Sequence, residues 1–311
     1  MNFIAQILCS QYFDGHPPVL IDIGASGGIN KAWEEIAAYS YCICFDADDR
    51  DFSIFCEEDR QYKKLIKINR AVTEHSGISP FFFTASPHCS SCLQPDNEAL
   101  KPWLFASCFD LVKTSELEST TIAEVLKSAN INHIDWLKLD TQGTDLRLYK
   151  SLPDEVRRNI LAVEMEPGII DAYKSEDKLS SVLYSMEEDN FWLSRIEVKG
   201  SIRIEAGFVS EFGEGNISRA IPVAPGWAEL TFLRNATSDN ARSLLLLYVF
   251  AVLQRQHGFA FEICQKIRST NIDFPVDDAV DYVKSLINSH NLKKVSFKNR
   301  VKNYLVRKLQ N

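Results

Sequence analysis

The sequence predicts an α/β fold, a mostly parallel sheet with helices on both faces, followed by a helical C-terminal region. Three observations carry this. From residue 19 to 235, short apolar runs alternate with amphipathic stretches, the pattern of strand–helix–strand units. The first apolar run, "VLIDIG" (19–24), climbs into a glycine-rich turn, "GASGG" (24–28), at the point where a helix should begin. After residue 235 the alternation stops and long apolar helical patterns take over.

The elements follow in order. Residues 19–24 read as a buried strand. "INKAWEEIAAY" (29–39) reads as a helix with Ile29, Trp33, Ile36 and Ala37 on one face. "YCICFDA" (41–47) is the second strand, "LIKINRAV" (65–72) the third, and "FFFTA" (81–85) an extra one. "TTIAEVLKSA" (120–129) is helical, with Thr120 as N-cap. "IDWLKLD" (134–140) is a strand, "TDLRLYKSL" (144–152) a helix, and "NILAVEME" (159–166) a strand. "DKLSSVLYSMEEDN" (177–190) is a helix, "FWLSRIEV" (191–198) a strand, and "AELTFLR" (228–234) the last strand. A domain boundary is placed near 236, giving 1–235 and 236–311. "LLLLYVFAVL" (244–253) is too short for a bilayer, which needs about 20 apolar residues, and reads as a buried helix.

Composition narrows the function. Apolar residues make up 45% and charged residues 24%, ordinary for a globular chain with a sizeable core. The net charge of −8 argues against nucleic acid as partner. Seven lysines and arginines and no acid fall in 291–311, which leaves −15 on the first 290 residues. That tail, with Val301, Tyr304, Leu305 and Leu309 on one face, suits an anionic membrane surface or a partner; docking on the acidic main domain is the plainer reading. The C-terminal helices are a candidate surface for self-association. Eight scattered cysteines read as reduced thiols of a cytoplasmic protein. Cys89 and Cys92 form a lone CxxC, with only His88 adjacent, which is a weak zinc signal. "MNFIAQILCSQYF" has neither the basic start nor the cleavage pattern of a secretory signal. The expected location is cytoplasmic, peripheral to the inner face of the membrane if the tail binds lipid.

In open parallel sheets ligands sit at the carboxyl ends of the strands. Here those ends carry Asp22 to Gly28, Asp46 to Asp48, Asp140, and Glu164 to Glu166. The dinucleotide fingerprint GxGxxG does not fit, since Ser26 and Ile29 stand at its second and third glycine positions, and no P-loop Gly-Lys-Ser/Thr follows. Asp22 would repel a pyrophosphate but suits a ligand bearing an ammonium or sulfonium group. About 20 residues on, Asp46 ends the second strand, where an adenosine ribose would offer two hydroxyls. That combination points to S-adenosylmethionine. Two other readings stay open. Asp46 and Asp48 have the Asp-x-Asp spacing with which nucleotide-sugar transferases hold a divalent ion. Asp48 and Asp49 also suit the N-cap and first turn of a following helix.

"IDIGASGG", "FDADD", "TTIAEVLKSANINHIDWLKLDTQGTDLRLYKSL" and "ILAVEMEP" resemble, in that order, the FkbM-type methyltransferases. The most specific piece is Leu-Lys-x-Asp-x-x-Gly-x-Asp at Leu137 to Asp145, and the resemblance covers roughly residues 19 to 235. It implies a seven-stranded Rossmann-like sheet, S-adenosylmethionine as cofactor, and O-methylation of a sugar, glycolipid or related natural product. It puts Asp22, Gly24, Ala25 and Ser26 in the cofactor loop and Asp46 on the ribose. The family more often has Asn at the position of Ser26, Glu at that of Asp46, and Pro at that of Ala47.

Methyl transfer to a hydroxyl needs orientation and removal of a proton, hence a base or a metal. Asp140, ending "WLKLD", is the first candidate as base, metal ligand, cofactor contact or substrate anchor; a helix cap is its plainer role. Glu164 and Glu166 alternate along a strand and should point to one side, with Lys138 a partner for one of them. Asp140 with Glu164 is a candidate magnesium pair. His88, in the loop 84–95, is a candidate base, with a solvated loop histidine as the alternative. His133 precedes its strand and belongs at the opposite end of the sheet. A non-catalytic methyltransferase-like module is the reading outside enzymology.

Overall fold

The computed structural model describes residues 2–25, 30–48 and 61–289. Its strands are β1 (Val19–Ile23), β2 (Tyr41–Phe45), β3 (Lys64–Ile68), β4 (Ala71–Val72), β5 (Gly77–Thr84), β6 (Leu111–Thr120), β7 (Trp136–Leu139), β8 (Ala162–Met165), β9 (Phe191–Ile202) and β10 (Val223–Arg234). Seven of them form one sheet in the order β3-β2-β1-β7-β8-β10-β9. Neighbours from β3 to β8 are parallel, and β10 runs antiparallel to both β8 and β9. Counted within the sheet alone, the order is 3-2-1-4-5-7-6, a Rossmann-like α/β sheet with one reversed strand.

The period of two decides the layers. Ile21, Ile23, Ile43, Phe45, Leu137, Leu139, Val163 and Met165 face one side. There they bury Val125 of the helix Ile122–Ser128, Leu146 of Asp145–Ser151 and Val182 of Leu179–Glu188. The helix Ile122–Ser128 is capped by Thr121, whose hydroxyl accepts from the Glu124 amide at 3.1 Å, one residue later than the Thr120 expected. On the other side, Trp33 is fully buried edge-on against Trp136, with ring centroids 5.9 Å apart.

Three expectations are corrected. The described part of the stretch 29–39 is not one helix but two 3₁₀ turns, Lys31–Trp33 and Ala37–Tyr39. Asn30 is tied to the sheet, and short turns bring Trp33, Ile36 and Ala37 down onto it. The run 65–72 is split: it ends in the main sheet at Ile68 and resumes as β4 in a second sheet, of order β4-β6-β5. β6 was not expected at all. Its sequence, LVKTSELEST, is exposed over most of its length, so it shows no apolar alternation.

Contacts divide the chain into Met1–Tyr12 with Ala236–Asn311, and Phe13–Asn235. The N-terminal residues therefore group with the C-terminal region rather than with 13–235. In the first unit Leu244 to Val252 of the helix Ala241–Leu253 are all buried, and Phe3 packs its ring on Tyr248, Phe274 and Tyr282. The Tyr248 hydroxyl donates to the Ala279 carbonyl at 2.8 Å, which ties in the helix over 276–289. Among the described residues no helix is long and apolar enough to cross a membrane. The basic tail lies outside the described residues.

Candidate functional site

The parallel strands end on a common edge, and there the second unit holds a cleft of about 370 Å³, within the size range of small-molecule sites. Its inner walls are Ile23, Phe45, Val72 and Phe81, with Asp46 and Asp48 beside them. Gly24 lies at its floor with φ +80°. A β-carbon there would stand 2.0 Å from the Asp140 carbonyl oxygen, so only glycine lets β1 turn away this close to β7. The Gly24 and Ala25 amides both donate to the Phe45 carbonyl, at 3.0 and 3.1 Å. The floor of the cleft is thereby joined to the end of β2, which delivers Asp46.

Register places Asp22, Lys138 and Glu164 side by side on β1, β7 and β8. Lys138 Nζ donates to Asp22 Oδ1 at 2.8 Å, while Asp22 Oδ2 accepts the Asn30 amide at 3.1 Å. Glu164 Oε1 accepts from Asn30 Nδ2 at 2.7 Å and from Trp136 Nε1 at 2.8 Å. Two carboxylates of the sheet thus clamp Asn30, where the described chain resumes after the glycine turn. Burial, more than offsetting the attraction of Lys138, pushes the Glu164 carboxyl up to about 7. Neither Asp22, which is fully buried, nor Glu164 lines the cleft.

Asp140 does line it, and so does Glu166. Glu166 lies one residue past the end of β8, so the alternation that would pair it with Glu164 no longer applies. Its amide donates to Asp145 Oδ2 at 2.7 Å, and Asp145 Oδ1 accepts the Thr141 amide at 3.0 Å. Asp145 is buried at the head of its helix and fixes both strand ends at once; burial raises its carboxyl to about 6. Glu166 and Asp140 stand together in the lining of the cleft, and burial followed by the Asp140 charge drives the Glu166 carboxyl upward.

Around that pair runs a closed ring of contacts. Trp227 Nε1 donates to Glu166 Oε1 at 2.7 Å. Trp227 stacks on Phe105 with centroids 5.9 Å apart, Phe105 meets Phe109 edge-on at 5.2 Å, and Phe109 meets Tyr173 at 5.5 Å. The Tyr173 hydroxyl shares its one proton between the Cys89 carbonyl at 2.9 Å and Gln142 Oε1 at 3.2 Å, and Gln142 Nε2 donates to Asp140 Oδ1 at 2.7 Å. All these residues line the cleft.

Of the residues singled out from sequence, Gly24, Asp46, Asp48, His88 and Asp140 meet at the cleft. His88 is at its exposed rim, on the 3₁₀ turn Pro87–Cys89. Ala25 is buried behind the cleft, and Ser26 and Asp49 lie outside the described residues. Glu164 is a correction: its oxygen is committed to Asn30 and Trp136, so the expected magnesium pair with Asp140 is not assembled. Among the described residues no three His, Cys, Asp or Glu side chains cluster so as to hold a metal ion. His133, as expected, is at the far end of the sheet, with Nε2 3.5 Å from Asp135 Oδ2 before β7. The sequence carries no signal separating Phe105, Phe109 and Trp227 from core aromatics, and sequence reasoning does not single them out. It missed Tyr173 and the loop 167–178, which forms one wall.

The donor set suits S-adenosylmethionine. Apolar walls accept a flat base, the Asp46 carboxylate accepts from hydroxyls, and a cleft edged by acids favours a cation. The family model of the methyltransferase FkbM domain matches residues 22–201, 180 of the 311 and more than half the chain. No curated protein matches it.

Proposed function

This chain belongs to the FkbM methyltransferase family, and from that premise we propose that it transfers a methyl group from S-adenosylmethionine to a hydroxyl of a saccharide, glycolipid or related natural product. The observation that carries the acceptor half of this reading is the ring: an aromatic arc, Trp227 to Tyr173, closed by the carboxyls of Asp140 and Glu166. Aromatic faces pack against the C–H faces of a pyranose, and carboxylates accept from its hydroxyls.

The bound cofactor would supply a methyl group already activated on sulfur. Gly24 would supply the close backbone floor for it, and Asp46 would be the acceptor for its ribose. The work left to the protein is orientation and proton removal. The hydroxyl that takes the methyl group would give its proton to the Asp140 and Glu166 carboxyls, both of which line the cleft. Glu166 thus joins Asp140 as a catalytic residue, and Asp145, which holds both strand ends, is a positioning residue. His88 at the rim is the second candidate to relay that proton to solvent.

Calorimetric titration with S-adenosylmethionine and S-adenosylhomocysteine, beside Asp46→Ala, tests the cofactor half. Binding in the micromolar range that the substitution weakens at least tenfold is the expected result. A wild-type protein that binds neither compound overturns the reading, and a nucleotide-sugar with manganese is then the next titrant. For the basic tail, 291–311, the same reading assigns contact with an anionic membrane that carries the acceptor; equal pelleting of full-length protein and residues 1–290 with anionic liposomes would sink it.

A further inference from the structure

The ring at the outer half of the cleft combines two chemistries that both attract positive charge. One half is a series of packed aromatic rings, Trp227 stacked on Phe105 and Phe105, Phe109 and Tyr173 meeting edge-on, whose π-systems are electron-rich. The other half is the pair Asp140 and Glu166, and each end of the aromatic arc is hydrogen-bonded into that pair's surroundings, Trp227 to Glu166 and Tyr173 through Gln142 to Asp140.

Among the described residues no lysine or arginine forms an ion pair with Asp140 or Glu166. Lys138, the nearest along the strand, donates to Asp22 at 2.8 Å. Lys178 is held by Glu176 at 2.6 Å and Asp171 at 2.8 Å. Arg70, the arginine of the lining, pairs with Glu118 at 2.9 Å, and His88 stands at the exposed rim. A half-buried carboxyl beside another acid lowers the charge there by keeping a proton, as the upward shift of Glu166 reflects. A ligand that brings its own cation releases that proton.

Resting on the methyltransferase reading above, we propose that this ring receives a protonated amine beside the hydroxyl to be methylated, so that the acceptor is an amino sugar or a comparable amino alcohol. The ammonium group sits between the aromatic faces and the carboxyl pair. The proton that it displaces from Glu166 goes to solvent, and the carboxylate so freed can take the one given up by the hydroxyl. An acceptor with phosphate, sulfate or carboxylate at that position meets like charge and is rejected.

The test uses the full chain saturated with S-adenosylhomocysteine and three pyranoses that differ at one nitrogen: glucosamine, N-acetylglucosamine and N-sulfoglucosamine. Saturation-transfer NMR titrations give the three affinities. Glucosamine is expected to bind roughly tenfold more tightly than its N-acetyl analogue, with the N-sulfo sugar weakest. Glu166→Gln and, as a second variant, Trp227→Leu should each shrink the preference. Equal binding of the first two sugars, preference for the N-sulfo sugar, or no binding of any of them to the loaded protein overturns the proposal. Failure of S-adenosylhomocysteine itself to bind overturns the methyltransferase reading instead, so the two failures are distinct.

Discussion

Gly24 and Asp140 are in backbone contact: a β-carbon on Gly24 would lie 2.0 Å from the Asp140 carbonyl oxygen, and the Asp140 amide donates to the carbonyl of Ile23 at 3.0 Å. The glycine turn and the acid at the end of β7 are therefore one rigid piece. Gly24→Ala must both strain a residue at φ +80° and push β1 from β7. It is expected to cost about 2 kcal/mol or more and to abolish S-adenosylhomocysteine binding. Thermal melts beside calorimetry check this; a variant with wild-type melting and affinity would refute the contact.

Asp140 and Glu166 are expected to set the pH dependence of methyl transfer. A carboxyl raised by burial and a neighbouring acid accepts a proton as base only once the pH exceeds its own raised value. The wild-type rate should therefore climb with pH through the raised range of the Glu166 carboxyl. Glu166→Gln removes the neighbour and should move that limb to lower pH, while Asp140→Asn should lower kcat about 10²–10⁴-fold. Superimposable profiles for wild type and Glu166→Gln would show that the pair does not act.

Glu164 makes a prediction about stability, with a definite sign. Its folded carboxyl titrates at about 7, above the ordinary 4.5. Below the lower value both states are protonated and nothing is lost. Between the two the folded state binds more protons, so stability falls as pH rises, and the penalty is complete above about 7. Glu164→Gln keeps an oxygen for Asn30 and Trp136 without the charge. It should match wild type near pH 4 and exceed it by about 2 kcal/mol near pH 8. Denaturant melts at both pH values decide; a variant less stable at pH 8 contradicts the assignment.

Asp145 holds the amides of Thr141 and Glu166 and the Thr141 hydroxyl. Asp145→Ala orphans two backbone donors beside the cleft, and should cost about 3 kcal/mol and depress kcat more than the affinity for cofactor. Asp145→Asn, which retains one acceptor, should recover part of both. An alanine variant with unchanged kcat would remove Asp145 from the positioning role.

How much of this was legible beforehand depended on periodicity and on chain ends. β1, β2, β7 and β8 are buried on both faces and announce themselves as apolar runs, and the acids just beyond them, Asp46 and Asp140, follow from the geometry of parallel sheets. β6 escaped because an exposed strand has no apolar period to show. Glu164 and Glu166 were expected to share a face, but the strand ends between them, and which acid enters the cleft is decided by Asp145 capturing the Glu166 amide. The aromatic arc was invisible for a different reason. Phe105 and Phe109 come from a 3₁₀ turn and the residue before it, Tyr173 from a loop and Trp227 from β10, and no local pattern distinguishes a ring that will line a cleft from one that will fill a core.

The reversed strand β10 also constrains how the sheet is completed. It lies between β8 and β9 although it is the last of the three in sequence, and it pairs with β9 over nearly their whole lengths. An antiparallel pair close in sequence assembles faster than a parallel one that must wait for a crossover. The β9–β10 ribbon is thus the natural unit to form first and to dock on β8 as a whole. A chain halted on the ribosome before residue 223 has no strand to cover that edge of β8, and its unpaired amides and carbonyls are open to any other extended segment. Truncations that stop short of β10 are therefore expected to aggregate rather than to yield a smaller soluble domain.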